Sequence, residues 1–75
     1  MDLSKEIVIN ADFSKLDLTQ INFEGATLTD CDFTGSNLTK ANFNDATITN
    51  CNFTGATVTG ASFEGSNITG CLGLT

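Results

Sequence analysis

The chain has 75 residues, of which three are Lys and nine are Asp or Glu, and its formal net charge is −6 at pH 7. It contains no His, Arg, Trp, Tyr or Pro, which excludes a histidine base, a histidine metal ligand and an arginine phosphate clamp. The acidic balance also argues against nucleic acid as a direct ligand and against an anionic membrane surface, because both attract Lys and Arg.

The N-terminal residues 1–5 do not resemble a targeting segment. They lack a basic stretch followed by an apolar one, so we expect no signal peptide. No apolar run approaches the roughly 20 residues that span a bilayer. The three cysteines are an odd number and cannot all pair within one chain. We therefore expect a cytoplasmic protein with no membrane partner.

Large apolar residues recur at every fifth position along almost the whole chain. All six Phe lie on this series, and Leu3 and Val8 extend it towards the N-terminus. A second series lies two residues earlier and consists of small residues from Ala26 onward. We predict that the large series forms the core ladder of the protein: Phe13, Leu18, Phe23, Leu28, Phe33, Leu38, Phe43, Ile48, Phe53, Val58, Phe63 and Ile68.

A period of five fits neither a helix nor a flat strand. A helix would spread the series around its surface, and a strand would place successive members on opposite faces. A chain that turns a corner every five residues keeps both series inside, as in a solenoid whose coils bury one another. Cys31, Cys51 and Cys71 recur every twenty residues, or four repeats, and so predict a four-sided coil. We predict an all-β solenoid of nearly four coils, forming one domain over residues 1–75.

The repeats resemble those of the pentapeptide-repeat family, whose motif is a small residue, Asp or Asn, Leu or Phe, Ser or Thr, and a variable residue. Residues 11–15, 31–35, 36–40 and 51–55 match this motif closely. The resemblance covers residues 1 to about 70 and implies a right-handed quadrilateral β-helix. It implies no single activity, because a fold is not a function. We number the positions of each repeat from one to five in the order of the motif.

Two groups of reactive side chains have both a structural and a functional interpretation. Cys31, Cys51 and Cys71 share one inward column, where core packing is favoured over redox or zinc chemistry because zinc requires four ligands. Asp12 and Asp32 share an outward column, but no insertion breaks the repeat to build a pocket for acid–base catalysis. We therefore predict no enzyme, no catalytic residue, no metal site and no cofactor.

Two outward surfaces suggest alternative functions. Threonine pairs recur on one side of the coil, at Thr27 and Thr29 and again at Thr47 and Thr49. Thr is favoured at exposed strand positions, and a flat Thr array also resembles the ice-binding faces of unrelated β-solenoid antifreeze proteins. The acidic surface suggests a mimic of DNA that inhibits or protects a DNA-binding enzyme. The family resemblance points to type II topoisomerases, which some members bind.

The two ends of the predicted stack expose unpaired backbone groups and core side chains, and such edges invite pairing with another chain. Residues 46–75 carry a single charge, Glu64, so the C-terminal end resists stacking least. We predict a non-enzymatic structural or protein-interaction module that self-associates end to end, as a dimer or a stack, with another protein as a second possible partner. In the simpler alternative, the last residues fold over their own coil and the protein stays monomeric. The expected contact contains Ile68, Cys71, Leu72 and Leu74.

Overall fold

Four short parallel strands form one side of the molecule. The computed structural model describes residues 1–74; Thr75, the last residue of the predicted domain, lies outside the described residues. The strands form a single sheet in the order β1-β2-β3-β4, and paired residues lie twenty apart, so that Val8 lies beside Leu28. The strands are Ile7–Ile9 (β1), Thr27–Thr29 (β2), Thr47–Thr49 (β3) and Asn67–Thr69 (β4).

The other three sides are joined by single parallel bridges with the same offset of twenty residues, such as Asp12 to Asp32 and Asp17 to Asn37. The chain is therefore a right-handed, four-sided β-solenoid, which confirms the predicted fold class. Its Cα atoms extend 23 × 22 × 21 Å along the principal axes, so the stack is about as tall as it is wide. Among the residues described, there is no helix long and apolar enough to cross a membrane.

Each side of the coil ends at a corner residue with a left-handed backbone. Every fifth residue from Lys5 to Gly70 has a φ between 55° and 71°. Gly, Asn and Asp adopt this conformation at the lowest cost, and they occupy ten of the fourteen corners between these residues. The corner at position five therefore produces the period of five that the sequence shows.

The residue at position two favours strands on one side and turns on the others, with Asn67 in β4 and Thr57 outside the strands as the two exceptions. On the other sides, the Asp or Asn side chain accepts the backbone N–H two residues later. Asp12 Oδ1 lies 2.9 Å from Ser14 N, and Asn52 Oδ1 lies 3.0 Å from Thr54 N. Asp and Asn favour such turns, whereas β-branched residues favour extended strands. The strand side has β-branched residues at position two in its first three coils: Ile7, Thr27 and Thr47.

Phenylalanine rings fill the interior as two stacked ladders. In the ladder of Phe13, Phe33 and Phe53, neighbouring ring centroids lie 5.0 and 4.8 Å apart. Rings of different ladders meet edge to face, with centroids 5.8 to 6.2 Å apart, an arrangement that aromatic quadrupoles favour. The other ladder, with centroids 5.1 and 4.8 Å apart, contains Phe23, Phe43 and Phe63.

Burial of the twelve predicted core residues depends on their place in the stack. Phe13 and Phe63 are half-buried, and Val58 and Ile68 are exposed. These four residues lie near the two open ends, where no further coil covers them. The remaining eight are buried: Leu18, Phe23, Leu28, Phe33, Leu38, Phe43, Ile48 and Phe53.

Candidate interaction surfaces

The C-terminal end of the solenoid exposes residues whose counterparts in the middle of the stack are fully buried. Ile68 is 40% exposed, whereas Ile48, directly beneath it in the same column, is 0% exposed. Val58 is 36% exposed, and Leu38, twenty residues earlier, is 0% exposed. This end therefore presents core side chains to solvent.

The four residues predicted for the C-terminal contact occupy different environments. Ile68 and Leu72 are exposed, and Cys71 is half-buried. Leu72 still pairs with the coil beneath it, since its N–H donates to Cys51 O at 3.1 Å. Leu74 is partly buried and packs against the hydrophobic core. Leu74 thus covers part of its own coil, as the simpler alternative expects, while Leu72 does not.

Gly73 brings the chain inward at the C-terminal end. It has a φ of 83°, and a Cβ added there would lie 2.7 Å from both the carbonyl carbon of Phe53 and the amide nitrogen of Thr54. Only glycine allows so close an approach between two backbone segments. Position 73 continues the column of Phe53, so a large residue is replaced by a backbone contact that places Leu74 over the core.

The N-terminal coil also exposes apolar residues, both on its outward side and at its open end. Ile7 is 73% exposed and Ile9 is 60% exposed, on the outward face of β1. Met1 and Leu16 are exposed as well. Beneath this rim, three core residues are only partly buried: Leu3, Val8 and Phe13. Both ends, and not the C-terminal end alone, are therefore candidate contact surfaces.

The acidic residues are spread over three sides of the solenoid and over several corners, and the outward face of the strand side has none. Asp12 and Asp32 pair on one side, and Asp17 pairs with Asn37 on the next. Glu24 and Glu64 lie at position four of their repeats, on a third side. Within residues 1–74, this distribution does not supply the continuous acidic side that DNA mimicry requires.

Three N-terminal carboxylates act as hydrogen-bond acceptors within their own turns. The hydroxyl of Ser14 donates to Asp12 at 2.5 Å, and that of Thr19 donates to Asp17 at 2.6 Å. These hydroxyl bonds, together with backbone N–H bonds from the same residues, lower the pKa of both carboxyls below the ordinary value of 3.8. The pKa of Asp2 is lowered in the same way by Ser4. These carboxylates stabilise turns.

The threonines on the strand side differ from those elsewhere. On two other sides the hydroxyls of Thr19, Thr34, Thr39 and Thr54 donate to neighbouring Asp or Asn oxygens at 2.5 to 2.6 Å. On the strand side, the threonine hydroxyls form no hydrogen bond within the described part of the chain. These are Thr27, Thr29, Thr47, Thr49 and Thr69.

The cysteine column lies at the corner that follows the strands. At most other corners the position-one N–H donates to the C=O three residues earlier, as Ala26 N does to Phe23 O at 3.0 Å. Cys51 is not bonded in this way. Its thiol donates to Leu28 O at 3.5 Å, and its Sγ accepts the N–H of Cys31 at 3.4 Å. The Sγ of Cys51 therefore supplies Cys31 N with the acceptor that a carbonyl supplies at most other corners.

Burial, with a smaller contribution from the neighbouring thiols, raises the pKa of the Cys51 thiol to about 12, although the hydrogen bond from Cys31 N–H acts to lower it. Cys31 and Cys51 are buried, all three cysteines carry free thiols, and Cys71 is half-buried. A buried neutral thiol is a poor nucleophile and a poor metal ligand, because both roles need the thiolate. The described residues contain no group of three or more His, Cys, Asp or Glu that could hold a metal ion, and no pocket opens among them.

The comparisons with known proteins agree with this architecture. The family model described as a pentapeptide repeat region matches residues 7–72. No curated relative matches this sequence. Among solved structures, HetL is similar with a TM-score of 0.83 and 26% identity, and the match covers 88% of this chain and 31% of HetL. HetL is a pentapeptide repeat protein involved in heterocyst differentiation regulation from the cyanobacterium Nostoc sp. strain PCC 7120.

A second similar structure is QnrB1, a plasmid-mediated fluoroquinolone resistance protein. It is 20% identical with a TM-score of 0.62, and the match covers 95% of this chain and 45% of QnrB1. At this identity the likeness shows the fold alone. The chain thus spans less than half the length of either protein.

Proposed function

Because this chain belongs to the pentapeptide-repeat family, we propose that it is a non-enzymatic structural or protein-interaction module that self-associates through the ends of its solenoid. The fold does not determine the activity, so the proposal depends on the exposed surfaces. The supporting observation is the contrast within one column, in which Ile48 is fully buried and Ile68 is 40% exposed. A second copy can supply the missing neighbour.

The apolar gain from such a contact is substantial for a small protein. Burying a Val or Ile side chain completely contributes about 1.5–3 kcal/mol. Val58, Ile68 and Leu72 are exposed at the C-terminal end. Covering each of them with a second copy would therefore contribute part of this free energy to association. The proposed C-terminal contact contains Ile68, Cys71 and Leu72. Leu74 lies beneath it as part of the supporting core.

The experiment is size-exclusion chromatography with light scattering over a hundredfold range of concentration. The wild-type chain, whose mass is 7.9 kDa, is expected to show a mass that rises with concentration. Leu72→Asp places a charge in the contact and is expected to shift the protein towards the monomer. A wild-type chain that is monomeric at every concentration contradicts the proposal.

Asn52→Asp is the matched control. Asn52 lies directly beneath Leu72 in the same column, one coil further from the end, and the column already contains Asp12 and Asp32. The control adds the same charge to the same side without touching the end. An equal loss of association in both variants indicates a contact on the side of the solenoid and so also contradicts the proposal.

A further inference from the structure

The outward face of the four-stranded sheet, here called the strand face, differs in charge from the other three sides. Its residues at positions two and four carry no charge, whereas Asp12, Asp17 and Glu24 place carboxylates on the three other sides. A chain with a net charge of −6 therefore keeps one whole side neutral. The residues of the strand face are Ile7, Ile9, Thr27, Thr29, Thr47, Thr49, Asn67 and Thr69.

The threonine hydroxyls of the strand face are available to a ligand. On the next side, the hydroxyl of Thr34 donates to Asp32, the residue two positions earlier, at 2.5 Å. In β2 and β3 the residue two positions earlier is another Thr, and the hydroxyls of the strand face form no hydrogen bond within residues 1–74. Each of these threonines is exposed or partly exposed. Their β-branched side chains adopt few rotamers, so the hydroxyls are already ordered.

The strand register arranges these hydroxyls as a two-dimensional array. Thr27 lies beside Thr47, and Thr49 lies between Thr29 and Thr69. Neighbouring parallel strands lie about 4.8 Å apart, and outward residues of one strand repeat about every 6.6 Å. The array therefore has two regular spacings at right angles, and both are set by the backbone.

The stacked phenylalanine rings indicate that the strand face is nearly flat. Neighbouring rings are inclined by 9° and 6° in the ladder of Phe13, Phe33 and Phe53. Phe43 and Phe63 are inclined by 1°. Adjacent strands of an ordinary sheet are rotated by about 20°. Successive coils thus rotate little against one another, and the array keeps its spacing from β2 to β4.

We propose that the strand face binds the surface of an ice crystal. Both spacings of the array are similar in size to repeats of the oxygen lattice in hexagonal ice. A threonine hydroxyl can donate one hydrogen bond and accept others, as each lattice water does, and the methyl groups lie between the hydroxyls. A charged side chain would impose its own orientation on the nearest waters, and the strand face has none. This inference does not depend on self-association.

Ice fits this face better than another macromolecule does. The whole face spans about 7 Å by about 14 Å, far less than the roughly 800 Å² per partner that a stable protein interface buries. The face also lacks an aromatic ring on which a sugar could stack. Ice differs from both, because a crystal that grows around an adsorbed protein holds it in place. A small and regular footprint is then sufficient.

The test measures thermal hysteresis, the gap between the melting and freezing temperatures of a single ice crystal, and the shape of that crystal under the microscope. The wild-type chain is expected to open a gap and to produce faceted crystals. Thr47→Lys places a charge at the centre of the strand face and is expected to abolish both effects. Circular dichroism checks that the solenoid is intact.

Thr57→Lys is the matched control. Thr57 is exposed, as Thr47 is, and occupies the same repeat position on the opposite side of the solenoid. The control adds the same charge to the same residue type and is expected to keep the wild-type gap. An equal loss in both variants indicates an effect of net charge and overturns the proposal.

A gain of activity keeps the test decisive if Thr47→Lys unfolds the chain. Asn67→Thr completes the array in β4, where Asn67 is exposed and lies beside Thr47, and it is expected to widen the gap. Asn37→Thr is its control at the same position on the opposite side, where Thr57 occupies the next coil. It is expected to leave the gap unchanged. A gap that Asn67→Thr fails to widen contradicts the proposal.

The outcomes are distinct from those of the self-association experiment. A wild-type chain that opens no gap and leaves ice crystals round overturns ice binding, whatever its mass in solution. If Thr47→Lys lowers that mass while the wild type leaves ice unaffected, a second copy covers the strand face and the proposal is wrong. A monomeric chain that shapes ice overturns only the proposed self-association.

Discussion

The middle and the ends of this solenoid use the same residues for different purposes. Ile48 and Ile68 share a residue type, a repeat position and a column, yet one is completely buried and the other is exposed. The local sequence is not the cause, since burial in a solenoid is supplied by the neighbouring coil. A repeat in the middle therefore stabilises the fold, and the same repeat at an end is available for contact.

The largest expected difference between these regions is at the phenylalanine ladders. Phe33 stacks on Phe13 and Phe53 and meets Phe23 and Phe43 edge to face. Phe33→Ala is therefore expected to lower the free energy of unfolding by about 3–5 kcal/mol, as for other buried Phe residues. Urea denaturation followed by circular dichroism measures this change.

Phe63→Ala is the matched control at the C-terminal end. Among the described residues Phe63 stacks on Phe43 alone, at 4.8 Å, and it is half-buried. We expect its loss to cost less than half as much as that of Phe33, measured at a concentration at which the chain is monomeric. Equal losses would show that the end coil is as well packed as the middle and would remove the basis of the comparison.

The cysteine column gives the next largest difference. Cys51→Ala removes both the acceptor for Cys31 N and the donor to Leu28 O and leaves a small cavity. We expect the free energy of unfolding to fall by about 2 kcal/mol, from lost packing and from the unpaired N–H of Cys31. Cys71→Ala, at the half-buried end of the column, is expected to cost clearly less. Equal losses of unfolding free energy for the two substitutions in the same denaturation experiment would contradict this expectation.

The period of five predicted the corners, the large and small inward series and the four sides of the fold. It also placed the cysteines in the core, where Cys31 and Cys51 are buried, but not their hydrogen bonds, because a period of twenty shows a column and not the backbone groups around it. The corner at position five is visible in the sequence as Gly, Asn and Asp. Lys5 and Lys15 adopt the same left-handed backbone without any preference for it, so only the repeat predicts them.

The candidate contact surfaces were the hardest part to predict. Charge counts favoured the C-terminal end, yet Leu16 is exposed and Val8 and Phe13 are only partly buried at the N-terminal end, where no coil covers them. Leu72 and Leu74 are the same residue type two positions apart, and the sequence alone treats them alike. The close backbone approach at Gly73 separates them, because it directs Leu74 onto the core. Such an approach is a tertiary contact with no local signal beyond the glycine.

Gly73→Ala tests this end structure directly. Alanine at a positive φ costs about 1–2 kcal/mol, and at Gly73 the added Cβ would also meet the Phe53 backbone. Gly55→Ala is the control, since its φ is also positive but its nearest contact is an ordinary 3.9 Å. We expect Gly73→Ala to be the more damaging by about 1 kcal/mol in thermal unfolding. It should also release Leu74, seen as a changed methyl signal by NMR.

The smallest expected effect is a difference in acid sensitivity between the early coils and the later ones. The folded-state pKa values of Asp12 and Asp17 lie below the ordinary value of 3.8, because Ser14 and Thr19 donate hydrogen bonds to the charged carboxylates. Their contribution is therefore fully present above the unfolded pKa and is lost as the pH falls through the folded one. Asn52 accepts the same backbone bond from Thr54 in a later coil without a titrating group.

Asp12→Asn/Asp17→Asn should therefore flatten the loss of stability between about pH 5 and about pH 2, measured as the urea midpoint. Asp30→Asn/Asp45→Asn removes the same charge from corner residues whose side chains accept no hydrogen bond within residues 1–74, and it is expected to leave the slope closer to that of the wild type. If both double variants change the slope equally, net charge governs the acid sensitivity. If only the first does, the turns of the N-terminal coil carry it, and acid should loosen that end of the stack first.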